Sequence, residues 1–333
     1  MRPGFEPVEA PCRIGICILL GLLVSCSSGL PDSSYAADHS LPSSQFISGL
    51  PFYPQIEDQC GPASLATMLA AAGVSVNPET LRGKIYIPGK EGTLTTEIVA
   101  RARRHGLLVY PLTPDRADLL REIAAGNPVL VMQNLGLDWA PRWHFSVLIG
   151  YELHRDVVVL RSGNDPNREV DFELFEKTWK RANNWAVVIV RPERLPATAE
   201  ENGFVIAANQ LEQVGELQAA MAAYKAMLVH WPESTIAYFG AGNTAYAMGR
   251  YEEAREYYSI YVEMQPTSAA GWNNLAYSLK QLNCHNESLE AINCAIRLEP
   301  KNQVFRENKN EVVSMASGES PITCRVLQCQ SPP

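Results

Sequence analysis

Twelve residues, Asp58-Gln59-Cys60-Gly61-Pro62-Ala63-Ser64-Leu65-Ala66-Thr67-Met68-Leu69, place a cysteine at the start of a helix. Gly61 permits a tight turn, and Pro62 suits the first helical turn, where a missing N–H removes no hydrogen bond. Leu65, Met68 and Leu69 repeat at helical spacing, and Gly73 is a natural C-terminal stop. A thiol there feels the positive end of the helix dipole, which favours thiolate, the reactive form. An isolated cysteine is more often a buried structural one, so a base further along the chain decides between the readings. Arg142-Trp143-His144-Phe145-Ser146-Val147-Leu148-Ile149-Gly150-Tyr151 supplies it, a histidine opening an apolar run that ends in glycine. The next strand-like run, 156–160, delivers Ser162-Gly163-Asn164-Asp165-Pro166. Taken singly, His144 reads as a satisfied core histidine and Asp165-Pro166 as a turn. Three such features in this order point instead to nucleophilic chemistry.

A cysteine on a helix start, a histidine on a strand start and an Asp or Asn at the next strand's end is an order that resembles the papain-like peptidases. Residues 50–190 resemble the bacteriocin-leader (double-glycine) peptidase branch of that superfamily. The likeness rests on a Gln upstream of Cys-Gly-Pro-Ala, a His before an apolar strand ending Gly-Tyr, and an Asp-Pro after the next strand. It implies a Cys-His-Asp triad with Cys60 as nucleophile, His144 as general base, Asp165 as the residue that orients it and Gln55 as oxyanion donor. The family's Gln usually precedes the Cys by six residues and Gln55 by five, which keeps Gln59 as a second choice. On this reading His144 holds Cys60 as a thiolate–imidazolium pair and later protonates the leaving amine. A carboxylate on the far ring nitrogen fixes the tautomer and stabilises the charged ring. The Gln amide and the Cys60 N–H stabilise the oxyanion. The same residues serve hydrolysis or another acyl transfer.

These groups need elements to hold them. Patterning predicts helices over 78–82, 95–105 and 115–125, and strands over 129–133 and 186–190. Helices first and a sheet after match an α+β papain-like arrangement. The loop before His144 carries Trp139 and Trp143, which either line a substrate cleft or pack on the sheet; Trp179 and Trp185 read as core. The 86–93 segment has Gly and Lys without phosphate-loop spacing, so no nucleotide is expected.

The first 26 residues read as processing sequence, with an apolar stretch over 14–24, long enough for a signal peptide and too short to span a membrane. Leu23-Val24-Ser25-Cys26 resembles the bacterial lipoprotein signal, which implies lipidation of Cys26. Ser27 then implies an outer-membrane lipoprotein facing the periplasm, held by its lipid alone. The alternative is a plain secretory signal with an incidental cysteine. Residues 27–48, rich in Ser, Pro, Gly and Asp, read as a flexible tether. A length of 333 residues suits about two domains. The 46% hydrophobic and 19% charged composition excludes a disordered chain, and the net charge of −8 argues against nucleic acid.

After Pro-bearing 191–196 the composition turns to Ala, Tyr, Glu, Gln and Leu at helical spacing, and Pro232, Pro266 and Pro300 recur with the period of tetratricopeptide repeats. Units of 201–234, 235–268 and 269–302 follow. Asn243, Asn273 and Asn274 are candidate peptide-backbone binders, or ordinary helix polarity. Cys284, Cys294, Cys324 and Cys329 are an even number in a compartment that permits disulfides. Pairing Cys284 with Cys294 and Cys324 with Cys329 is one of three connectivities. No histidine accompanies them at ligand spacing, so no metal is expected, and no cofactor.

The fold class is therefore an α+β papain-like cysteine peptidase domain followed by an all-α tetratricopeptide repeat domain. The division runs 1–26 signal, 27–48 tether, 49–192 peptidase domain, 193–200 linker, 201–302 three repeats and 303–333 tail. The expected function is a cell-envelope cysteine peptidase cleaving peptide bonds, with the repeats docking a protein substrate or partner. The rival is a non-catalytic envelope scaffold that binds peptides or proteins through its repeats.

Overall fold

The computed structural model describes residues 41–55, 59–90 and 92–314, together with Cys324 and Cys329. The signal segment, Cys26 and most of the tether lie outside the described residues. Helix α1 (Cys60–Ala71) is buried all round from Gly61 to Leu69, as its apolar sequence requires of a central helix. Helix α2 (Pro78–Ile85) starts on Asn77, whose side chain accepts from the Glu79 N–H. Helix α3 (Thr95–Arg103) ends in a turn closed by Gly106 at φ +69°, and α4 (Arg116–Ala124) is capped by Asp115. Helix α5 (Phe172–Lys180) is capped by Asp171.

The sheet is antiparallel throughout. Strands β4 (Leu108–Pro111), β9 (Ala186–Val190), β5 (Val129–Asn134), β6 (Trp143–Glu152), β7 (Val157–Ser162) and β8 (Asp165–Asp171) lie in that order. Strand β1 (Ser44–Phe46) pairs with the far end of β6, so the expected tether gives way to sheet by Ser44. A small ribbon of β2 (Tyr86–Ile87) and β3 (Gly92–Thr93) stands apart. Alternation along β6 divides the core: Phe145, Val147 and Ile149 pack with Leu65, Met68 and Leu69 of α1, whereas Leu148 packs with Leu119 and Phe175 on the other face. That split follows from the two-residue period of a strand.

Beyond the sheet run α6 (Glu201–Gln213), α7 (Leu217–His230), α8 (Thr235–Ala247), α9 (Tyr251–Met264), α10 (Ala269–Gln281), α11 (His285–Leu298) and α12 (Gln303–Ser314). The helices starting at 201, 235, 269 and 303 are each 34 residues apart, compatible with stacked helical repeats. Residues 303–314, expected as tail, are thus a further helix. Its Phe305 and Val312 are buried on the stack, the place of a capping element. The N-terminal end of this helical region joins the sheet without a break in the core: Tyr110 and Val190 pack in one cluster with Phe204 and Leu211. Segment 193–200 is pinned there. The fully buried Glu122 carboxylate accepts from the Thr198 N–H at 2.8 Å, the Thr198 hydroxyl at 2.6 Å and Asn127 Nδ2 at 2.6 Å.

The disulfides are Cys284–Cys324 and Cys294–Cys329, with Cα–Cα distances of 5.9 and 5.8 Å. This corrects the Cys284–Cys294 pairing named above. Those two residues stand at the cap and in the body of α11, about 15 Å apart at the rise of a helix, far beyond disulfide reach. Cys284, Glu287 and Cys324 converge as ligand types, but both sulfurs of the group are spent on a disulfide.

Candidate active site

Three segments distant in sequence meet at the N-terminal end of α1. Ser64, one turn beyond Cys60, donates to the Phe145 carbonyl at 3.2 Å, so the helix start is tied to the residue after His144. Gln55 Nε2 donates to Ser64 Oγ at 3.2 Å and to the same carbonyl at 3.4 Å. Gln55 Oε1 accepts from the Gly163 N–H at 2.9 Å, and the Gln55 N–H donates to the Gly163 carbonyl at 2.9 Å. Gln55 therefore clamps α1, β6 and the β7–β8 turn together. Gly61 has to be glycine, since a Cβ would fall 2.6 Å from Thr93 Cβ.

Asp165 is not the group on the histidine, which corrects that expectation. It opens β8 across from Ser162, is exposed, and its carboxylate accepts from the Asn167 N–H at 2.9 Å. The reason is the turn: Gly163 at φ +62° folds Ser162-Gly163-Asn164-Asp165 into a two-residue hairpin, and Asp165 falls on the return strand. His144 Nε2 instead meets Ser162 Oγ at 2.8 Å. Ser162 Oγ lies 3.3 Å from Ser146 Oγ, which donates to Gln133 Oε1 at 3.0 Å. Gln133 Nε2 donates onward to Thr178 Oγ1 at 2.7 Å, and Thr178 donates to the Phe175 carbonyl at 2.8 Å.

Each hydroxyl has one proton to give. With the Ser146 proton on Gln133, the Ser162 hydroxyl lies between Ser146 and His144 Nε2, and the tautomer in which Nε2–H donates to Ser162 leaves Nδ1 its lone pair, the form a general base requires. Ser162 thus orients the ring but brings no negative charge. Burial, then the Arg168 and Arg142 guanidiniums, push the His144 pKa from 6.5 to about 4. The ring is neutral at pH 7, so the imidazolium of a resting ion pair is not favoured. The sequence held a signal for Ser162: Val158, Leu160 and Ser162 share one strand face by period two, whereas Asp165 lies past the turn.

Gln59 precedes α1, and its Nε2 donates to Glu79 Oε1 at 2.8 Å, leaving Gln55 as the better-placed amide. Loop 135–142 is ordered by Asn134 Oδ1, which accepts from the Gly136 and Arg142 N–H groups, both at 2.9 Å. At its tip Trp139 is 83% exposed, and Trp143, beside His144, is 53% exposed. Both rings are more open to solvent than covered. Trp179 is buried and Trp185 partly so.

The sheet and the buried central helix that begins on a cysteine form one α+β domain. Residues 47–187 match the Peptidase_C39 like family, and this segment is a C39-like peptidase domain. Among solved structures, the chain is similar to a C39-like peptidase from Bacillus anthracis at 21% identity, covering 44% of this chain and 97% of that one, TM-score 0.37. It is also similar to the peptidase domain of Streptococcus ComA, a bi-functional ABC transporter, at 18% identity over 43% of this chain and 98% of that one, TM-score 0.35. Among curated proteins, FlbA of Caulobacter vibrioides is 29% identical over 94 residues, 28% of this chain. The chain spans only 16% of FlbA's length.

Proposed function

We propose that the protein is a cell-envelope cysteine peptidase in which Cys60 attacks a peptide carbonyl and His144 is the base. The observation that carries this reading is the junction of the Cys60 helix start with the His144 strand through Ser64 and Gln55. With a neutral ring, the thiol proton passes to His144 Nδ1 as sulfur bonds to the carbonyl carbon. The Cys60 N–H at the helix start and Gln55 Nε2 stabilise the oxyanion. For that, Gln55 Nε2 turns from the Phe145 carbonyl, its longer and weaker contact. The imidazolium then returns its proton to the leaving amine, and water hydrolyses the thioester by the reverse path.

The helices from 201 on are read as tetratricopeptide repeats that dock a protein substrate or partner. A cleft of about 390 Å³ between α6 and α8, lined by Ile206, Asn209, Ile236 and Phe239, supports this. Asn243, Asn273 and Asn274 are engaged with one another and with Tyr258 and Asn308, so they brace helices more than they offer free amides. Lipidation of Cys26 and a periplasm-facing outer-membrane location complete the proposal; two disulfides support an oxidising compartment. The scaffold reading draws on one observation, a histidine whose bonded partner is a serine and not a carboxylate. A thiol-directed activity probe separates the two. Labelling of Cys60 that is lost in His144→Ala supports the peptidase, and a folded wild type that never labels supports the scaffold.

A further inference from the structure

Arg161 is 8% exposed, and its Nε has no hydrogen-bond partner. It stands next to Ser162 on β7, in register with Val147, and so on the face of the sheet that α1 covers. Its guanidinium carbon lies 5.9 Å from the centre of the Phe52 ring, at the outer reach of a cation–π contact. The Phe52 segment leads directly to Gln55, which clamps the site. No acidic residue among those described forms an ion pair with Arg161. A buried Nε–H without a partner is a cost to the folded state, and burial lowers the Arg161 pKa.

Two further cations stand at the rim. Arg142 is exposed two residues before His144, and Arg168 is exposed on β8 in register with Leu160, two residues before Ser162. Neither has an ion-pair partner among the described residues, and both act on the His144 ring. Nearby Asp165 is turned to the Asn167 N–H.

We infer that the site takes acidic peptides, a substrate carboxylate being held by Arg161 on the α1 side of the sheet, with Arg142 and Arg168 drawing acidic neighbours on the His144 side. This rests on the peptidase reading of Cys60. The carboxylate supplies the partner that Arg161 lacks, so binding energy is gained where the fold carries an uncompensated charge. Trp139 and Trp143 then cover the apolar neighbours of that acid.

The test is alkylation of Cys60 in the full chain by iodoacetate, an anion, against iodoacetamide, its neutral counterpart, read by peptide mass spectrometry at Cys60. The ratio of the two rates is referred to the same ratio in denaturant, which removes their intrinsic difference. The expected native ratio exceeds the denatured one by about tenfold, the effect of roughly one close charge in a semi-buried site. Arg161→Met and Arg168→Ala each lower it. Arg161→Met also raises the thermal unfolding midpoint, because an unpaired buried charge is replaced by an apolar chain of similar length; a merely structural arginine would lower it. A native ratio at or below the denatured one, or one indifferent to these substitutions, overturns the inference and leaves the peptidase reading standing. If neither reagent modifies Cys60 in the folded chain, the peptidase reading itself fails and takes this one with it. Should Arg161→Met not fold, Arg142→Ala and Arg168→Ala decide by the same ratio.

Discussion

The two halves of this molecule hold themselves together in opposite ways. In the helical region, contacts are local and repeated: Gly240, Gly242 and Gly271 lie against Tyr224, Tyr258 and Tyr261, where an added Cβ would sit 2.4–2.6 Å from a ring carbon. In the peptidase domain, the site draws on residues 55, 60–64, 144–146 and 162–163, joined by side chains reaching distant backbone. A repeat region completes its core from neighbours in sequence. An active site needs groups that no single element carries, so it is assembled by long-range bonds. The difference matters because Glu122 and Tyr110 join the halves through one core.

The sharpest break of this comparison removes the chemistry from one side only. Cys60→Ala should abolish probe labelling and amide cleavage, and His144→Ala should cut both by about a hundredfold or more, while thermal unfolding of either variant stays cooperative. Turnover retained by Cys60→Ala would assign the nucleophile elsewhere. Next in size is the junction. Glu122→Ala strands the buried Asn127 amide and the half-buried Thr198 N–H and hydroxyl and should cost about 3 kcal/mol, read by urea unfolding. One shared transition is expected for both halves; two separate transitions would show that the core does not couple them.

A loss of about the same size follows from pH. The His144 ring takes its proton near 6.5 when unfolded but only near 4 when folded. Between those values the unfolded chain binds more protons, so stability is full above about pH 6.5 and falls as pH drops to 4. The contribution is about 3 kcal/mol. Subtracting the stability curve of His144→Phe isolates it, and a difference curve flat across that window would remove the burial argument. Smaller still is a change of sign in the repeats. Gly→Ala in an open helix stabilises by about 1 kcal/mol, but Gly242→Ala meets the Tyr258 ring and should destabilise by about 1–3 kcal/mol. A stabilised variant would mean that the helices have room to part. The smallest effect is also the most discriminating. Ser162→Ala should slow Cys60 labelling by roughly tenfold, about one hydrogen bond's worth, while Asp165→Ala changes it little; the reverse result would restore Asp165 to the ring.

What was legible in the sequence was what depends on near neighbours. The helix start at Cys60, the strand from His144, the strand over Ala186–Val190 and the 34-residue spacing of helices from Glu201 are all local patterns of turn residues and period. They stand where patterning puts them because helix and strand periodicity is written directly into side-chain order. Three matters required the folded chain. Asp165 and Ser162 are three residues apart, and only the hairpin at Gly163 decides which one faces His144. Four cysteines permit three pairings, and only the straightness of α11 removes the one joining Cys284 to Cys294. Arg161 reads as one more strand residue until the sheet shows it buried beside the site without a partner. In each case the deciding quantity is a distance between groups that sequence separation does not fix, and that is the quantity tertiary packing alone sets.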